Sequence, residues 1–293
     1  MHCPNNTRIV YDHPAFIRSN DSGLNAFCRT LFFCLKVNFR LQIYSNLIQE
    51  KGDGQMAHYQ AVFERKELKY LLTQLQWEAL KEKMDPYMAL DQYGKHVISN
   101  IYYDTPSWYL ARHSLSKPTY KEKVRVRSYG VPSTNERVFI ELKKKYKGIV
   151  YKRRTAMPLV EAEAFLNHKI MPETKNEEQI LQEFCYVLDS YPDLQPAMVI
   201  TYERLAYFGK DDPTVRITFD QDIVYRTDDL SLAKGAYGEE ILPEGKLLME
   251  IKIAGGMPLW LARALGELAI YPASFSKFST AYLNELKESV KKG

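Results

Sequence analysis

Charged and hydrophobic residues alternate with a period of two along several stretches of this chain, and period two is the spacing of one face of a β-strand. The cations Lys121, Lys123, Arg125 and Arg127 share one such face, and two valines lie between them on the other. Strands are predicted at 59–72, 97–104, 121–127, 138–145, 150–155, 197–208, 214–220 and 247–253. Short turns join three consecutive strands, which indicates an antiparallel meander.

Stretches with helical spacing or helix-capping signals separate the predicted strands. Thr73 is a suitable N-cap for a helix at 74–84. Thr105 and Pro106 favour the start of a short helix. Further helices are predicted at 158–168, 177–190 and 259–270, and a last helix ends in Lys291 and Lys292. The predicted fold class is therefore α+β.

The charged strand faces have two interpretations. Each could be the solvated face of a sheet whose other side packs on a core. They could instead line a tunnel, where cations ~5 Å apart repel by about 3 kcal/mol at an effective dielectric near 20 unless a polyanion lies between them. An open sheet does not require charges on one side of every strand. The repeated pattern therefore favours an antiparallel β-barrel with a charged interior, flanking helices and a C-terminal capping helix.

Positive charge is concentrated in one part of the chain. Residues 121–154 contain twelve Lys/Arg and three Glu, a local charge of +9, whereas the whole chain of 293 residues carries +4. Such a focused cationic stretch predicts an anionic ligand. Because facing cations repel one another, replacing Arg125 or Arg127 with Ala is expected to leave the fold at least as stable.

The sequence suggests two parts: an N-terminal appendage at 1–56 and a tunnel domain at 57–293. The appendage lacks clear periodicity and ends in a polar, linker-like string. The four cysteines form no CxxC pair, so we expect neither a zinc site nor a disulfide framework, and a reducing, cytoplasmic compartment. No apolar run approaches the length of a membrane span, and no RNA-reading aromatic motif indicates a nucleic-acid partner.

Carboxylates occur among the cations of the predicted strands, at Glu67, Glu141, Asp220 and Glu250. They would repel a phosphate chain unless a divalent cation lies between, and Mg²⁺ or Mn²⁺ commonly bridges one or two carboxylates to substrate phosphates. The alternative for each acid is a structural ion pair with a neighbouring Lys or Arg. The pattern favours metal-assisted phosphoryl chemistry.

An ordered set of short motifs carries a family resemblance. The motifs are Arg65-x-Glu67-x-Lys69-Tyr70, Arg125-x-Arg127, Glu141-x-Lys143, Tyr202-x-Arg204, Glu250-x-Lys252 and Ser274-Phe275-Ser276-Lys277. Together they resemble the VTC domain, the catalytic core of the vacuolar transporter chaperone polyphosphate polymerases and their bacterial homologues. That domain belongs to the triphosphate tunnel metalloenzymes, alongside the CYTH proteins. The resemblance implies transfer of the γ-phosphate of ATP to a growing polyphosphate chain, with release of ADP and a requirement for Mn²⁺ or Mg²⁺.

The resemblance also assigns roles to residues at matching positions. The cations implied in catalysis are Lys69, Arg125, Arg127, Lys143, Arg204, Arg216 and Lys277. The residues implied in substrate binding are Lys152, Tyr202, Lys252 and Ser276. Glu250 is implied as the metal ligand, and Glu141 is a second candidate. The chain departs from the wider pattern at Arg65, where the tunnel enzymes have Glu, and at Ser274, where the vacuolar polymerases have Lys.

Three functions stay open at this point. The first is a polyphosphate polymerase, the second a hydrolase of triphosphate or short polyphosphate on the same fold, and the third a non-catalytic polyphosphate-binding module. A pure polyanion binder gains nothing from acids among its cations, which argues against the third. Arg65 replaces an acid that would suit a hydrolase. The expected ligands are therefore ATP and polyphosphate, and a membrane-associated partner is compatible with the sequence.

Overall fold

The computed structural model describes residues 66–147, 149–173 and 177–292. The predicted appendage at 1–56 and Arg65 lie outside these residues. The strands are β1 Lys66–Thr73, β2 Met88–Leu90, β3 His96–Asp104, β4 Tyr120–Tyr129, β5 Arg137–Tyr146, β6 Ile149–Pro158, β7 Gln195–Gly209, β8 Arg216–Arg226, β9 Glu239–Glu240 and β10 Lys246–Ile253. The helices are α1 Gln74–Met84, α2 Tyr109–Leu115, α3 Leu159–His168, α4 Glu178–Ser190, α5 Leu259–Glu267 and α6 Lys277–Lys292, with a 3₁₀ helix at Leu232–Lys234.

Local chemistry sets the helix ends. The Thr73 hydroxyl accepts a hydrogen bond from the Gln76 backbone N–H at 3.2 Å, and the Gln76 side chain accepts one from the Thr73 backbone N–H at 3.0 Å. This reciprocal capping box confirms the predicted N-cap of α1. Helix α5 ends at Glu267, before the predicted end at residue 270, because Ala269 adopts a φ of 50° and cannot continue a right-handed helix.

All ten strands form one sheet with antiparallel pairing. The hydrogen-bonded order is β1-β10-β8-β7-β3-β4-β5-β6, with β2 beside β7 and β9 beside β8. The predicted meander is the β4-β5-β6 end of this path. The sequence pattern missed β2 and β9 because strands of 3 and 2 residues are too short to show a period.

The sheet curls on itself, but its hydrogen-bond ladder does not close. Among the described residues no ladder joins the terminal strands β1 and β6. Glu67 on β1 nevertheless lies 3.9 Å from Lys143 on β5, although five strands separate β1 from β5 along the sheet. The predicted α+β fold with a barrel-like antiparallel sheet is confirmed. The expectation of a fully closed barrel is corrected, because side chains rather than backbone hydrogen bonds bridge this gap.

Hydrophobic clusters cover the outside of the sheet and fill part of its inside. Helices α3 and α4 pack against β4, β5 and β6 on the outer face, in a cluster that includes Val126 and Phe165. Helices α1 and α5 pack in the same way against β1, β8 and β10. Helix α6 instead contacts the inner face, where Phe278 stacks on Tyr102 with ring centroids 4.6 Å apart. The last helix therefore caps the interior, as predicted.

Within the described ranges, no helix combines the length and the apolar character needed to cross a bilayer.

Candidate functional site

The register of the sheet places the site residues predicted from the sequence on the inner face. The relevant cross-strand pairs are Lys69 with Glu250, Lys252 with Arg216, Arg204 with Asp220, Arg125 with Glu141, and Lys143 with Lys152. Helix α6 adds two more predicted residues at its start. The Ser276 hydroxyl accepts a hydrogen bond from Lys123 Nζ at 3.0 Å, and Lys277 Nζ donates to Asp220.

Asp220 organises one side of the interior, and its side chain is fully buried. Arg204 donates to both carboxylate oxygens, from Nε at 2.6 Å and from Nη2 at 2.8 Å, while Lys277 donates to Oδ2. Burial alone would raise the pKa of Asp220, but Lys277 and Arg204 hold it well below its usual range. The bidentate contact fixes Arg204, and the hydrogen bond to Oδ2 fixes Lys277 beside it. This arrangement also matches the structural ion pair that the sequence left open for Asp220.

Glu250 forms a second acid–base group on the neighbouring strand. Its Oε1 pairs with Lys252, and its Oε2 lies 3.9 Å from Lys69 Nζ. Burial would raise the pKa of Glu250, but Lys252 and Lys69 lower it to about 2. Lys69 also lies 3.5 Å from Glu67 Oε1 and donates to the Phe275 carbonyl at 3.1 Å. Lys69 therefore stands between two carboxylates. We call the residues Arg204, Asp220, Glu250, Lys252 and Lys277 the balanced wall.

Glu141 is the centre of a third group, on the other side of the interior. Its side chain is 1% exposed. Arg125 Nε donates to Oε2 at 2.7 Å, Lys152 Nζ lies 2.8 Å from Oε1, and Arg154 Nε lies 3.4 Å from the same oxygen. Burial would raise the pKa of Glu141, but Arg125 and Arg127 hold it well below its usual range. The carboxylate therefore orients the cations around it.

Arg127 and Tyr202 connect these groups across the inner face. Arg127 donates from Nε to Asn100 Oδ1 at 2.8 Å and from Nη2 to the Tyr202 hydroxyl at 3.3 Å. Lys277 Nζ lies 4.3 Å from the centre of the Tyr202 ring. Burial would raise the pKa of Tyr202, but Arg127 and Arg204 lower it. A buried tyrosine among cations suits hydrogen bonding to an anionic oxygen.

Two residues of β3 belong to this network although the alternating charge pattern does not include them. Asn100 holds Arg127, and the Tyr102 hydroxyl accepts a hydrogen bond from Arg125 Nη1 at 3.0 Å. Neither residue belongs to an alternating charged row. The signal for Asn100 was its amide side chain in the middle of a mostly apolar strand, where a buried amide needs partners.

Four lysines on β4 and β5 form a different environment, which we call the lysine wall: Lys121, Lys123, Lys143 and Lys145. Lys121 lies opposite Lys145, and Lys123 lies opposite Lys143. In the part of the chain that the structure describes, the lysine wall has one ion pair, between Lys143 and Glu67 at 3.9 Å. Like charges directly opposite one another destabilise a sheet.

The pKa of Lys123 reflects this environment. Burial lowers the pKa most, Tyr102 opposes that effect, and Lys121 and Lys69 lower it further, to about 8. The shortage of negative charge follows from the geometry, because in the described part of the chain only Lys143 of the four lysines has a carboxylate within 4 Å.

Arg216 is the most peripheral of the predicted site residues. It is exposed at the first position of β8, opposite Lys252, and has no ion-pair partner among the described residues. It extends the cationic surface beyond the balanced wall.

The acids of the interior differ in how well they fit a divalent cation. No cluster of three or more His, Cys, Asp or Glu side chains converges within the described residues. The contacts of Glu141 favour an ion-pair role, because Arg125 and Lys152 engage its two oxygens.

Glu250 is also paired, with Lys252 on Oε1, but Lys69 lies no nearer than 3.9 Å to its Oε2. Glu250 fits better, because that oxygen is less tightly engaged and Glu67 lies diagonally across the β1-β10 pair. One or two carboxylates are enough for Mg²⁺ or Mn²⁺ when phosphates supply the other ligands.

Comparison with known proteins gives one family and several structural likenesses. The sequence model of the VTC domain matches residues 64–284. No curated protein matches the sequence. A proposed adenylate cyclase from Bacillus halodurans aligns with a TM-score of 0.44 and 13% identity, over 72% of this chain and 95% of that chain. A proposed adenylyl cyclase from Hippeastrum, described as having a dominant triphosphatase activity, aligns with a TM-score of 0.46 and 15% identity, over 73% of this chain and 92% of that chain.

Proposed function

Because this chain belongs to the VTC domain family, we propose that it is a metal-dependent polyphosphate polymerase. A terminal phosphate oxygen of the polyphosphate chain attacks the γ-phosphorus of ATP. The bond between that phosphorus and the bridging oxygen of ADP breaks, so the chain gains one phosphate and ADP leaves. The ligands of the site are then two polyanions, which must be held together against their mutual repulsion.

The lysine wall is the observation that carries the proposal. Its lysines face one another in pairs, and Lys143 also lies opposite Lys152 on β6. Such pairs are unfavourable without an anion between them. The cations of the balanced wall and those around Glu141 would be enough to bind a triphosphate. The additional lysines suit a longer phosphate chain that continues along β4 and β5.

The fixed cations can stabilise the transferring phosphoryl group. Arg127 and Arg204 are each held by hydrogen bonds, and their planar donors match phosphate oxygens. Lys277 lies at the start of α6, beside Asp220. Positioning and charge neutralisation supply most of the catalysis in phosphoryl transfer. In this mechanism these three residues hold the γ-phosphate, while Lys69 and Lys143 hold the attacking end of the chain.

Glu250, with Glu67 beside it, is the carboxylate we assign to a divalent cation. Bound there, Mn²⁺ or Mg²⁺ would neutralise oxygens of the nucleotide phosphates. Lys252 and Lys69 keep Glu250 ionised, because they lower its pKa to about 2. The acid is therefore charged and ready to bind a metal at neutral pH.

The product of ATP turnover tests the proposal. Purified protein with ATP and Mn²⁺ is expected to release ADP together with acid-stable polymer that an exopolyphosphatase degrades. ADP accompanied from the start by an equal amount of orthophosphate would overturn the polymerase in favour of the hydrolase. Binding of polyphosphate without ATP turnover would favour the non-catalytic module.

The Glu250→Gln variant tests whether Glu250 binds the metal. It keeps the shape of the side chain but removes its charge, so polymer synthesis should fall about 10- to 100-fold and recover only in part with excess Mn²⁺. Coincident metal titration curves for the variant and the wild type would reduce Glu250 to an ion-pair partner of Lys252.

A further inference from the structure

Aromatic side chains follow the cations at one end of the inner face. The β4 row that contains Arg127 continues two residues later with Tyr129, which is 51% exposed. The Tyr129 ring lies edge to face with Phe139, at a centroid distance of 5.7 Å, and 6.0 Å from the ring of His96. Tyr93, 70% exposed, lies 6.3 Å from His96. We call Tyr93, His96, Tyr129 and Phe139 the aromatic rim.

Arg154 on β6 fixes the orientation of two of these rings. Its guanidinium carbon lies 3.5 Å from the centre of the Phe139 ring, and its Nη2 donates to the Tyr129 hydroxyl at 3.2 Å. A guanidinium over an aromatic face is a cation–π contact. The Tyr129 ring is thus held in place while about half of its surface stays in contact with solvent.

The aromatic rim lies next to the cations that hold phosphate in the proposed reaction. Arg127 is two residues from Tyr129 on the same strand face, a rise of about 7 Å. Arg204 lies opposite His96 on the β3-β7 ladder. A ribose separates the base of a nucleotide from its phosphates over a similar span, so a triphosphate at Arg127 and Arg204 would bring its base to these rings.

We propose that the aromatic rim is a base-stacking site for the nucleoside triphosphate donor, an inference that rests on the proposed function. Inorganic polyphosphate has no flat apolar surface and gains nothing from exposed rings, whereas every nucleobase has a face that stacks. The larger purine face gains more than the pyrimidine face. The lysine wall lies towards the other end of β4, so the base and the growing chain occupy opposite ends of the tunnel.

Binding measurements on Tyr129→Ala test the site, with ATP and inorganic tripolyphosphate as probes in the presence of Mg²⁺. Loss of one stacking ring should weaken ATP binding by roughly 5- to 150-fold. Tripolyphosphate should bind the variant as it binds the wild type. Tyr129→Phe keeps the ring and should keep the affinity for ATP. Tyr151→Ala removes a similarly exposed ring, 45% exposed, from β6 and serves as the control.

A second variant keeps the test decisive if Tyr129→Ala unfolds. Tyr93 is more exposed than Tyr129 and lies in the turn before β3, so Tyr93→Ala should fold and weaken ATP binding in the same direction by a smaller factor. Thermal melts of all variants establish that they are folded.

Two results would overturn the proposal: unchanged ATP affinity in folded Tyr129→Ala, or an equal loss for ATP and tripolyphosphate. The second would mean that Tyr129 acts through Arg154 rather than through the base. The proposed polymerase can fail separately. Orthophosphate as the product, with ATP binding still dependent on Tyr129, would reject the polymerase and support the aromatic rim.

Discussion

On the balanced wall, Arg204 and Lys277 share the carboxylate of Asp220, and Lys252 pairs with Glu250. On the lysine wall, each lysine lies opposite another lysine. The two regions face the same interior, one built from β7, β8, β10 and the start of α6 and the other from β4 and β5, but they differ in how their cations are compensated. Every cation of the balanced wall is paired with one of its acids, whereas the lysine wall has a single ion pair among the described residues, between Lys143 and Glu67.

This difference separates a fixed part of the site from a ligand-dependent part. Cations held by buried acids keep their geometry with or without substrate, which suits the transferring phosphoryl group. Lysines that repel one another gain most when an anion binds between them. We therefore expect acid removal on the balanced wall and lysine removal on the lysine wall to change stability in opposite directions.

The largest effect on stability is expected from Asp220→Asn. The substitution leaves Arg204 and Lys277 without the negative charge that they share, and breaking a buried ion pair costs about 3–5 kcal/mol. The free energy of unfolding, measured by urea denaturation, should fall by this amount. Glu67→Gln is the control, because the partly exposed Glu67 should contribute about 1 kcal/mol or less. Equal losses in the two variants would remove the distinction between the walls.

The Lys123→Met substitution should raise the free energy of unfolding, whereas Asp220→Asn should lower it. A pKa of about 8, against an ordinary value of 10.5, means that the fold disfavours charged Lys123 at neutral pH. The shift corresponds to about 3 kcal/mol, so the variant should gain up to that amount in free energy of unfolding without ligand. Its affinity for tripolyphosphate should fall. Lys81→Met, on the exposed face of α1, is the control and should change neither quantity. A destabilised Lys123→Met would contradict the deficit of negative charge.

The smallest expected effect is on the pH dependence of binding. The folded pKa of Lys123 lies below the unfolded one, so its destabilising effect is fully present below about pH 8 and is relieved as the pH rises from 8 to 10.5. Binding of a phosphate chain favours the charged form. Tripolyphosphate should therefore bind up to about tenfold more weakly at about pH 9 than at about pH 7, with proton uptake at the higher pH.

Isothermal titration calorimetry in two buffers of different ionisation enthalpy measures that proton uptake. The Lys123→Met variant is the control, since its affinity should depend less on pH. The same proton uptake in the variant and the wild type would assign the titration to another group.

The sequence by itself determined much of this protein. Period-two alternation identified most strands of the sheet and the side of each strand that faces the interior, since a strand can place its charges on one face only by alternating them. Thr73 was enough to predict the start of α1, because a capping box involves only residues that are close in sequence. The motifs in the predicted strands, together with Ser274-Phe275-Ser276-Lys277, were sufficient to indicate the VTC domain.

The tertiary structure decided which charges meet. Arg125 illustrates this: the pattern predicted a tolerated Arg125→Ala, but Arg125 donates to the buried Glu141, so its loss would remove a partner of that acid. The position of Lys277 beside Asp220 likewise depends on α6 entering the interior, 57 residues further along the chain. A two-residue period specifies the face of a strand but not its neighbours. Charge compensation is a property of neighbours, so only the order of the strands and the path of α6 could set the two walls apart.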